Sequence, residues 1–269
     1  MARTQPLAVR FFYSSGARAL FTNAWYSLVS KLDNDAEVTL MNYGYAPVDG
    51  SRIALDTARE PERYALQLYH HVAVSVPLEG RDVLEVGCGR GGGAAYIARG
   101  FNPREMVGVD RTVSSIRFAR AHFAALRNLR FLEADAHTLP FDSDSFDAVV
   151  NIESAQHYRD IDRFLSEVHR VLKPGGHLLI ACFEDASKDV YPRDALRRSE
   201  LREVREEDIT EGVVRAMDLD SARRETLARK LVPPFLRGLA GEFAGVRGTA
   251  LYESFATGGC PYHYFVYRK

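Results

Sequence analysis

The chain has 269 residues, of which 46% are hydrophobic, and its formal net charge is −1. This length fits one large α/β domain or a domain with an added cap, and the apolar fraction argues against global disorder. The near-neutral charge balance lacks the basic footprint of a nucleic-acid-binding protein. We therefore expect a globular protein that does not bind nucleic acid.

The cysteine content and the lengths of the apolar runs indicate the cellular compartment. The three cysteines form no C-x-x-C pair, which argues against a zinc knuckle or a disulfide framework. The N-terminus lacks the continuous apolar core of a signal peptide, and no apolar run reaches about 18 residues. These features predict a cytoplasmic protein without a membrane span.

Residues 1–60 are rich in aromatic side chains and are expected to form a helical lid or arm. Five apolar residues follow helical spacing there: Phe21, Trp25, Leu28, Val29 and Leu32. So much apolar surface needs cover, either as a lid on an active site or as a swapped arm of a homodimer. Pro61 then fits the first turn of a helix that reaches about Val76.

Residues 61–186 alternate between strand and helix patterns. Strands are expected at RDVLEVG, MVGVD, LRFLEAD, FDAVVNI and HLLIACF, with helices after the first, second and fourth. This alternation predicts an α/β fold with a doubly wound, mostly parallel sheet. Residues 187–245 show only helical patterns and are expected to form a helical cap. Residues 246–269, with GTALYESFA and YHYFVYRK, are expected to supply the final strands.

The segment LEVGCGRGGG contains Gly87, Gly89 and Gly92 in G-x-G-x-x-G spacing after the first strand. Such a turn offers backbone N–H groups to a nucleotide. Dinucleotides, S-adenosylmethionine and plain core packing all tolerate it. The glycines therefore indicate a nucleotide cofactor without choosing one.

Three carboxylates near these glycines favour S-adenosylmethionine. Glu85, at the end of the first strand, would repel a pyrophosphate and attract an ammonium group. Asp110 ends the second strand and can accept hydrogen bonds from ribose hydroxyls in either cofactor class. Asp135 follows the third strand and can accept one from an adenine amino group. No lysine or arginine is placed to face a phosphate.

The motifs EVGCGRGGG, GVD, ADAHTLPFDSDSFDAVVNIES and RVLKPGGHLLI together resemble the class I S-adenosylmethionine-dependent methyltransferases. A closer likeness is to a bacterial small-molecule subgroup. It includes the mycobacterial phthiotriolone and phenolphthiocerol dimycocerosate methyltransferases and natural-product methyltransferases. MNYGY, LYHHVAVSV and PPFLRGLAGEFAGVRGTAL carry that likeness, so it extends over most of the chain.

The resemblance implies a seven-stranded sheet of order 3-2-1-4-5-7-6 with the last strand antiparallel. It implies methionine-end contacts from Glu85, Gly87 and Gly89, and backbone contacts from Asn151. It implies a ribose contact from Asp110, adenine contacts from Asp135 and Ala136, and an aromatic cover from Tyr43. Cys88 and Arg111 stand beside these motif positions and are expected to contact the cofactor as well.

His157, just beyond the fourth strand, is the leading candidate for a catalytic base. It lies where open α/β sheets bind ligands, and its side chain titrates near neutral pH. Relatives have histidine at the position of Gln156, of His157, or of both, whereas this chain keeps only the second. Glu153 is expected to orient the histidine or to contact the substrate. No side-chain pattern indicates a catalytic metal.

Six further residues are expected to line an apolar substrate pocket: Tyr13, Trp25, Tyr45, Gln156, Cys182 and Phe183. Relatives commonly have an acidic residue at the position of Cys182, which no electropositive motif activates as a nucleophile here.

The sequence therefore predicts methyl transfer to a hydrophobic polyketide, lipid or terpenoid-like molecule, with O-methylation of a hydroxyl as the default. C-methylation of a prenyl double bond, with proton loss or cyclisation, is the main alternative. An NAD-dependent reductase is a distant alternative, since Glu85 and the lack of a Y-x-x-x-K motif count against it. A non-catalytic cofactor-binding protein is a further one.

Overall fold

The computed structural model describes residues 33, 36, 38–184 and 192–269. The expected helix within 11–32, with Tyr13 and Trp25, lies outside these residues. No helix in the described part of the chain combines the length and the apolar character needed to cross a membrane.

One seven-stranded sheet organises the molecule, in the order β3-β2-β1-β4-β5-β7-β6. Strand β7 runs antiparallel to both of its neighbours, and the pairs from β3 to β5 are parallel. The order and the mixed direction confirm the fold expected from the sequence motifs. The strands are β1 Asp82–Val86, β2 Glu105–Asp110, β3 Leu129–Glu133, β4 Phe146–Ile152, β5 Leu172–Phe183, β6 Arg202–Asp208 and β7 Tyr262–Arg268.

Helices cover both faces of this sheet, and short 3₁₀ turns lie at Glu60–Glu62, Ala155–His157 and Pro234–Leu236. The α-helices are α1 Arg63–Ala73, α2 Gly92–Gly100, α3 Val113–His122, α4 Ile161–Val171, α5 Pro192–Arg198, α6 Thr210–Leu231, α7 Arg237–Phe243 and α8 Ala250–Ala256.

The sheet is buried from both sides, which explains why its central strands read as unbroken apolar runs. Successive strand residues point to opposite faces, so Val83 belongs to the core packed against α1 and α2. Leu84 belongs to the core packed against α4, on the other face. The parallel strands end together at one edge, and the loops that follow them form the site.

Two expectations about the C-terminal part are wrong. Residues 187–245 are not purely helical, because they contain the edge strand β6. Its residues are mostly exposed and charged, so it lacks the apolar alternation that reveals a strand. The segment GTALYESFA is a helix, α8, in which Leu251, Tyr252 and Phe255 share one buried face. The Thr249 side chain caps its first turn by accepting from the Tyr252 N–H.

Candidate active site

The first cavity lies at the carboxyl ends of β1, β2 and β4 and has a volume of about 430 Å³. The glycine loop after β1 forms its floor. Gly87 has φ of +79°, and a Cβ atom there would lie 2.0 Å from Ser154 Oγ. Its N–H, like that of Cys88, donates to Val109 O, which fixes the loop on β2. Only glycine fits this position, because the backbone is left-handed and the neighbour is in contact.

Two of the acidic side chains that line the same cavity follow strands β2 and β3. Asp110 accepts from the Gly89 N–H at 2.9 Å and from the Thr112 N–H at 2.8 Å, so its carboxylate is held at the strand end. Asp135 accepts from the His137 N–H at 2.9 Å, and this bond keeps the pKa of Asp135 below its usual value. Both therefore offer carboxylate oxygens as acceptors to hydroxyl or amino donors.

Eight further residues were expected to contact the cofactor, and five of them line this cavity: Gly87, Cys88, Gly89, Arg111 and Ala136. Glu85 and Asn151 do not line it. Glu85 is fully buried beneath the loop and accepts from Tyr69 Oη at 2.6 Å. Asn151 is also fully buried, and its Nδ2 donates to Val86 O at 2.8 Å. These two residues support the loop from below.

A second cavity of about 150 Å³ lies between the N-terminal segment 38–45 and the helices α6 and α7. Most of its lining is aliphatic or aromatic, and α6 contributes Leu227, Ala228 and Leu231 along one side. Of the expected pocket residues, Gln156 and Phe183 line it. Tyr43, which was expected to cover the cofactor, lines this cavity and not the first.

The two cavities meet, and the residues that line both are Leu40, Met41, Asn42, Glu153 and His157. Glu153 follows β4 directly and adopts a left-handed backbone with φ of +52°. Its N–H still donates to Ala181 O at 2.8 Å, so the residue remains attached to β5. This conformation places a carboxylate at the junction.

Both hydrogen bonds to the Glu153 side chain reach the same oxygen. Oε1 accepts from the Tyr43 N–H at 2.8 Å and from Tyr262 Oη at 3.0 Å. Oε2 has no hydrogen-bond partner among the described residues. Burial raises the pKa of Glu153 to about 7, although these two bonds oppose the shift. A carboxyl group with this pKa can accept and release a proton near neutral pH.

His157 ends the 3₁₀ turn after Glu153, and its ring centroid lies 6.5 Å from that of Phe183. The structure thus brings the two expected catalytic residues to one junction between the cavities.

Two expected pocket residues lie elsewhere. Cys182 packs in the core on the α4 side of the sheet, whereas its neighbour Phe183 packs on the opposite side. Adjacent strand residues point to opposite faces, so only one of them can line the pocket. Tyr45 lines neither cavity, and its ring lies 4.4 Å from that of His71. Gly44, between the two tyrosines, has a left-handed backbone, so the chain turns and Tyr45 does not follow Tyr43 into the cavity.

The segment that covers the junction is attached to the core at several points. A buried ion pair joins Asp33 Oδ2 to Arg90 Nη2 at 2.9 Å, within the glycine loop. Thr39 Oγ1 donates to Glu62 Oε1 at 2.7 Å, and Thr39 O accepts from the Gly92 N–H at 3.2 Å. The cover of one cavity is therefore bonded to the floor of the other.

Sequence reasoning missed Tyr69, Met41 and Tyr262 as site residues. Tyr69 lines the first cavity and packs on Gly93, where a Cβ atom would lie 1.9 Å from its ring. Tyr69 lies in LYHHVAVSV and Met41 in MNYGY, two motifs that carry the closer family resemblance. That resemblance could therefore have indicated both residues. Tyr262 carries no local signal, because its partner Glu153 is 109 residues away.

The first cavity fits S-adenosylmethionine. Its volume lies within the roughly 300–1,000 Å³ of typical small-molecule sites. The loop is free of side chains at Gly87 and Gly89, and Asp110 and Asp135 offer acceptors at the two strand ends. Together with the 3-2-1-4-5-7-6 sheet, this site defines the class I S-adenosylmethionine-dependent methyltransferases.

Comparisons with known proteins agree with that class. Residues 84–180 match the family described as methyltransferase domain. The chain is 35% identical over 263 residues to phthiotriol/phenolphthiotriol dimycocerosates methyltransferase of Mycobacterium leprae, covering 96% of this chain and 97% of the relative. It is also 35% identical over 251 residues to fatty-acid O-methyltransferase of Mycolicibacterium smegmatis, covering 91% and 88%. The chain therefore belongs to this methyltransferase family.

A solved structure shares the fold. Geranyl diphosphate C-methyltransferase from Streptomyces coelicolor A3(2), in complex with Mg²⁺, geranyl-S-thiolodiphosphate and S-adenosyl-L-homocysteine, matches with a TM-score of 0.65. The match covers 90% of this chain and 96% of that chain at 18% identity. In the described part of this chain, no group of three or more histidine, cysteine or acidic residues is placed to hold a metal ion.

Proposed function

We propose that this protein transfers a methyl group from S-adenosylmethionine to a hydroxyl oxygen of a hydrophobic, lipid-like small molecule. The observation that carries the proposal is the junction of a polar cofactor cavity with an apolar cavity at Glu153 and His157. Two relatives, a dimycocerosates methyltransferase and a fatty-acid O-methyltransferase, support a lipid-like acceptor and an oxygen nucleophile.

S-Adenosylmethionine supplies an activated methyl group when it is bound. Gly87, Gly89, Asp110 and Asp135 would hold it, because they line the first cavity. The apolar cavity excludes water from the acceptor and fixes its direction. Holding a nucleophile in line with an activated carbon provides most of the rate acceleration in such a displacement.

Glu153 accepts the proton of the acceptor hydroxyl at Oε2. The bonds from Tyr43 and Tyr262 hold Oε1, so the carboxylate cannot turn away from the junction. His157 lies beside it at the junction and contacts the acceptor or takes over the proton. With a Glu153 pKa of about 7, kcat/KM is expected to rise with pH through that value.

Labelled S-adenosylmethionine, offered with long-chain alcohols and fatty acids, tests the proposal by mass spectrometry of the products. With an alcohol acceptor, which must lose a proton, Glu153→Gln should lower kcat by about 10²–10⁴-fold, the usual contribution of a general base. A fatty-acid carboxylate needs no base, so its methylation should be affected much less. The affinity of Glu153→Gln for S-adenosylhomocysteine should not change. The matched control is Glu79→Gln, an exposed carboxylate that lines neither cavity and should keep kcat within a few-fold. Near-normal turnover in Glu153→Gln, with a large loss in His157→Asn, would assign the proton to the histidine instead.

C-methylation of an alkene is the second candidate, and one observation favours it. The ring of Tyr43 lies 5.8 Å from that of Phe183 and 5.4 Å from that of Phe255, beside the junction. Aromatic faces stabilise a carbocation, which methylation of a double bond would create. The test offers terpenoid alkenes as acceptors and examines the products by NMR. A new C–CH₃ signal without a methoxy signal would favour C-methylation over O-methylation.

A further inference from the structure

The connection between α6 and α7 carries an unusually exposed aromatic side chain. Phe235 is 83% exposed, whereas the next most exposed large hydrophobic residue in the described part of the chain, Val204, is 58% exposed. We call residues 232–236, V-P-P-F-L, the 232–236 loop. A single exposed apolar residue is ordinary on a protein surface, so the exposure of Phe235 points to a partner only together with the shape, position and charge of its loop.

The loop is held in a fixed shape. Pro233 and Pro234 restrict the backbone, and the Leu236 N–H donates to Pro233 O at 2.9 Å. Leu236 packs against the small core formed by Val232 and Ala240. Phe235 is therefore displayed on a rigid support, since its neighbour is anchored while its own ring stays in solvent.

This loop forms the rim of the apolar cavity. Leu231 and Val232 line the cavity before the loop, and Ala240 and Phe243 line it afterwards. The same small core thus joins the exposed ring to the cavity wall. A molecule that enters beside Phe235 would pass from the surface directly into the apolar cavity.

The surroundings of the loop are basic. Residues 226–241 contain Arg229, Lys230 and Arg237 and no acidic residue, in a chain whose net charge is −1. Two acids flank this stretch in sequence: Glu225 pairs with Arg229 at 2.6 Å, and Glu242 is buried and accepts from the Ala250 and Leu251 N–H groups. Arg237 follows the loop directly and donates to Arg229 O at 3.3 Å, and no acidic side chain among the described residues pairs with it. An apolar tip beside this cation is complementary to an anionic lipid surface, with the ring among acyl chains and the guanidinium at the headgroups.

The size of the cavity gives an independent reason for such a surface. Its volume of about 150 Å³ is below the roughly 300–1,000 Å³ of sites that enclose a drug-sized ligand. A long-chain acceptor would therefore place only part of its length inside. The remainder needs an apolar environment, which a bilayer provides at the rim.

We propose that the 232–236 loop docks on an anionic lipid surface and admits a membrane-resident acceptor from it into the apolar cavity. The identity of the lipid-like acceptor rests on the proposed function, whereas docking on the lipid surface does not. The two can fail separately, because vesicle binding needs neither acceptor nor turnover.

Flotation of the full-length protein with vesicles of phosphatidylcholine, with and without phosphatidylglycerol, tests the docking. The protein should bind the vesicles that contain phosphatidylglycerol, and added salt should weaken the binding. Phe235→Asp should lower the partition coefficient by about tenfold or more. Arg237→Gln should lower it by about fivefold, as expected for one basic residue at the surface. The matched control is Leu219→Asp, a change at a 56% exposed residue on α6 that should bind normally.

Absence of wild-type binding to either vesicle would overturn the proposal, as would equal losses in Phe235→Asp and Leu219→Asp. Normal binding by Phe235→Asp would also overturn it, because docking would then use another surface. Turnover supplies a second readout. Phe235→Asp should raise KM for an acceptor presented in vesicles and leave kcat for a short, soluble acceptor unchanged.

Discussion

The two cavities are built by different means. The cofactor cavity is built on glycines, backbone N–H groups and strand-end carboxylates of the sheet and its loops, with Tyr69 and residues 39–42 along its wall. The apolar cavity consists of side chains from helices that are far apart in the sequence, with the segment 38–45 as cover. Backbone geometry therefore determines what the first cavity binds, whereas side-chain volume determines what the second admits. Substitutions should separate these two kinds of control.

Gly87→Ala should produce the largest effect on the cofactor side. The left-handed backbone and the contact with Ser154 together should lower the free energy of unfolding by about 3 kcal/mol. Displacement of the loop should weaken binding of S-adenosylhomocysteine by about 100-fold in calorimetry. Gly100→Ala is the control, since no atom lies within 4 Å of a Cβ there. Equal affinities for the two variants would show that backbone geometry does not control this cavity.

Glu85→Gln should change how stability depends on pH. Burial raises the pKa of Glu85 from 4.5 to about 7, so the folded state binds more protons between these values. Folding stability should therefore fall as pH rises through this window, and the penalty should reach about 3 kcal/mol above pH 7. Denaturant unfolding at several pH values should give a flatter profile for Glu85→Gln than for the wild type. Glu133→Gln, at an exposed strand end, should keep the wild-type slope.

Ala228→Phe should produce a smaller and more selective effect. The larger ring fills part of the apolar cavity and should raise the acceptor KM by about tenfold, without changing the affinity for S-adenosylhomocysteine. Ala222→Phe, on the exposed face of the same helix, should change neither quantity. A loss of cofactor affinity in Ala228→Phe would show that the two cavities are not independent.

The same division explains how much the sequence could predict. The sheet order and the glycine loop were predictable, because strand periodicity and a contiguous motif determine them. The placement of Gly87, Asp110 and Asp135 around one cavity followed from the strands that end beside them. Parallel strands bring these ends together whatever the loops contain.

The apolar cavity was less predictable, because it depends on packing between distant segments. Adjacent residues of a strand point to opposite faces of the sheet. Placing Phe183 on the cavity side would therefore have excluded Cys182 from the cavity. In contrast, no local sequence pattern indicates that Tyr262 hydrogen-bonds to Glu153, because the two residues are 109 positions apart. Strand β6 was missed because an exposed, charged edge strand lacks apolar alternation. Functions that reside in long-range side-chain contacts need the folded structure.

The left-handed backbone of Glu153 lowers the stability of the folded protein. A non-glycine residue in that conformation costs about 1–3 kcal/mol, and the buried carboxyl group adds its own cost near neutral pH. Glycine at this position would relieve both costs and remove the proposed proton acceptor. Selection for thermal resistance alone should therefore favour glycine at position 153, and it should cost turnover if the proposed role of Glu153 is correct.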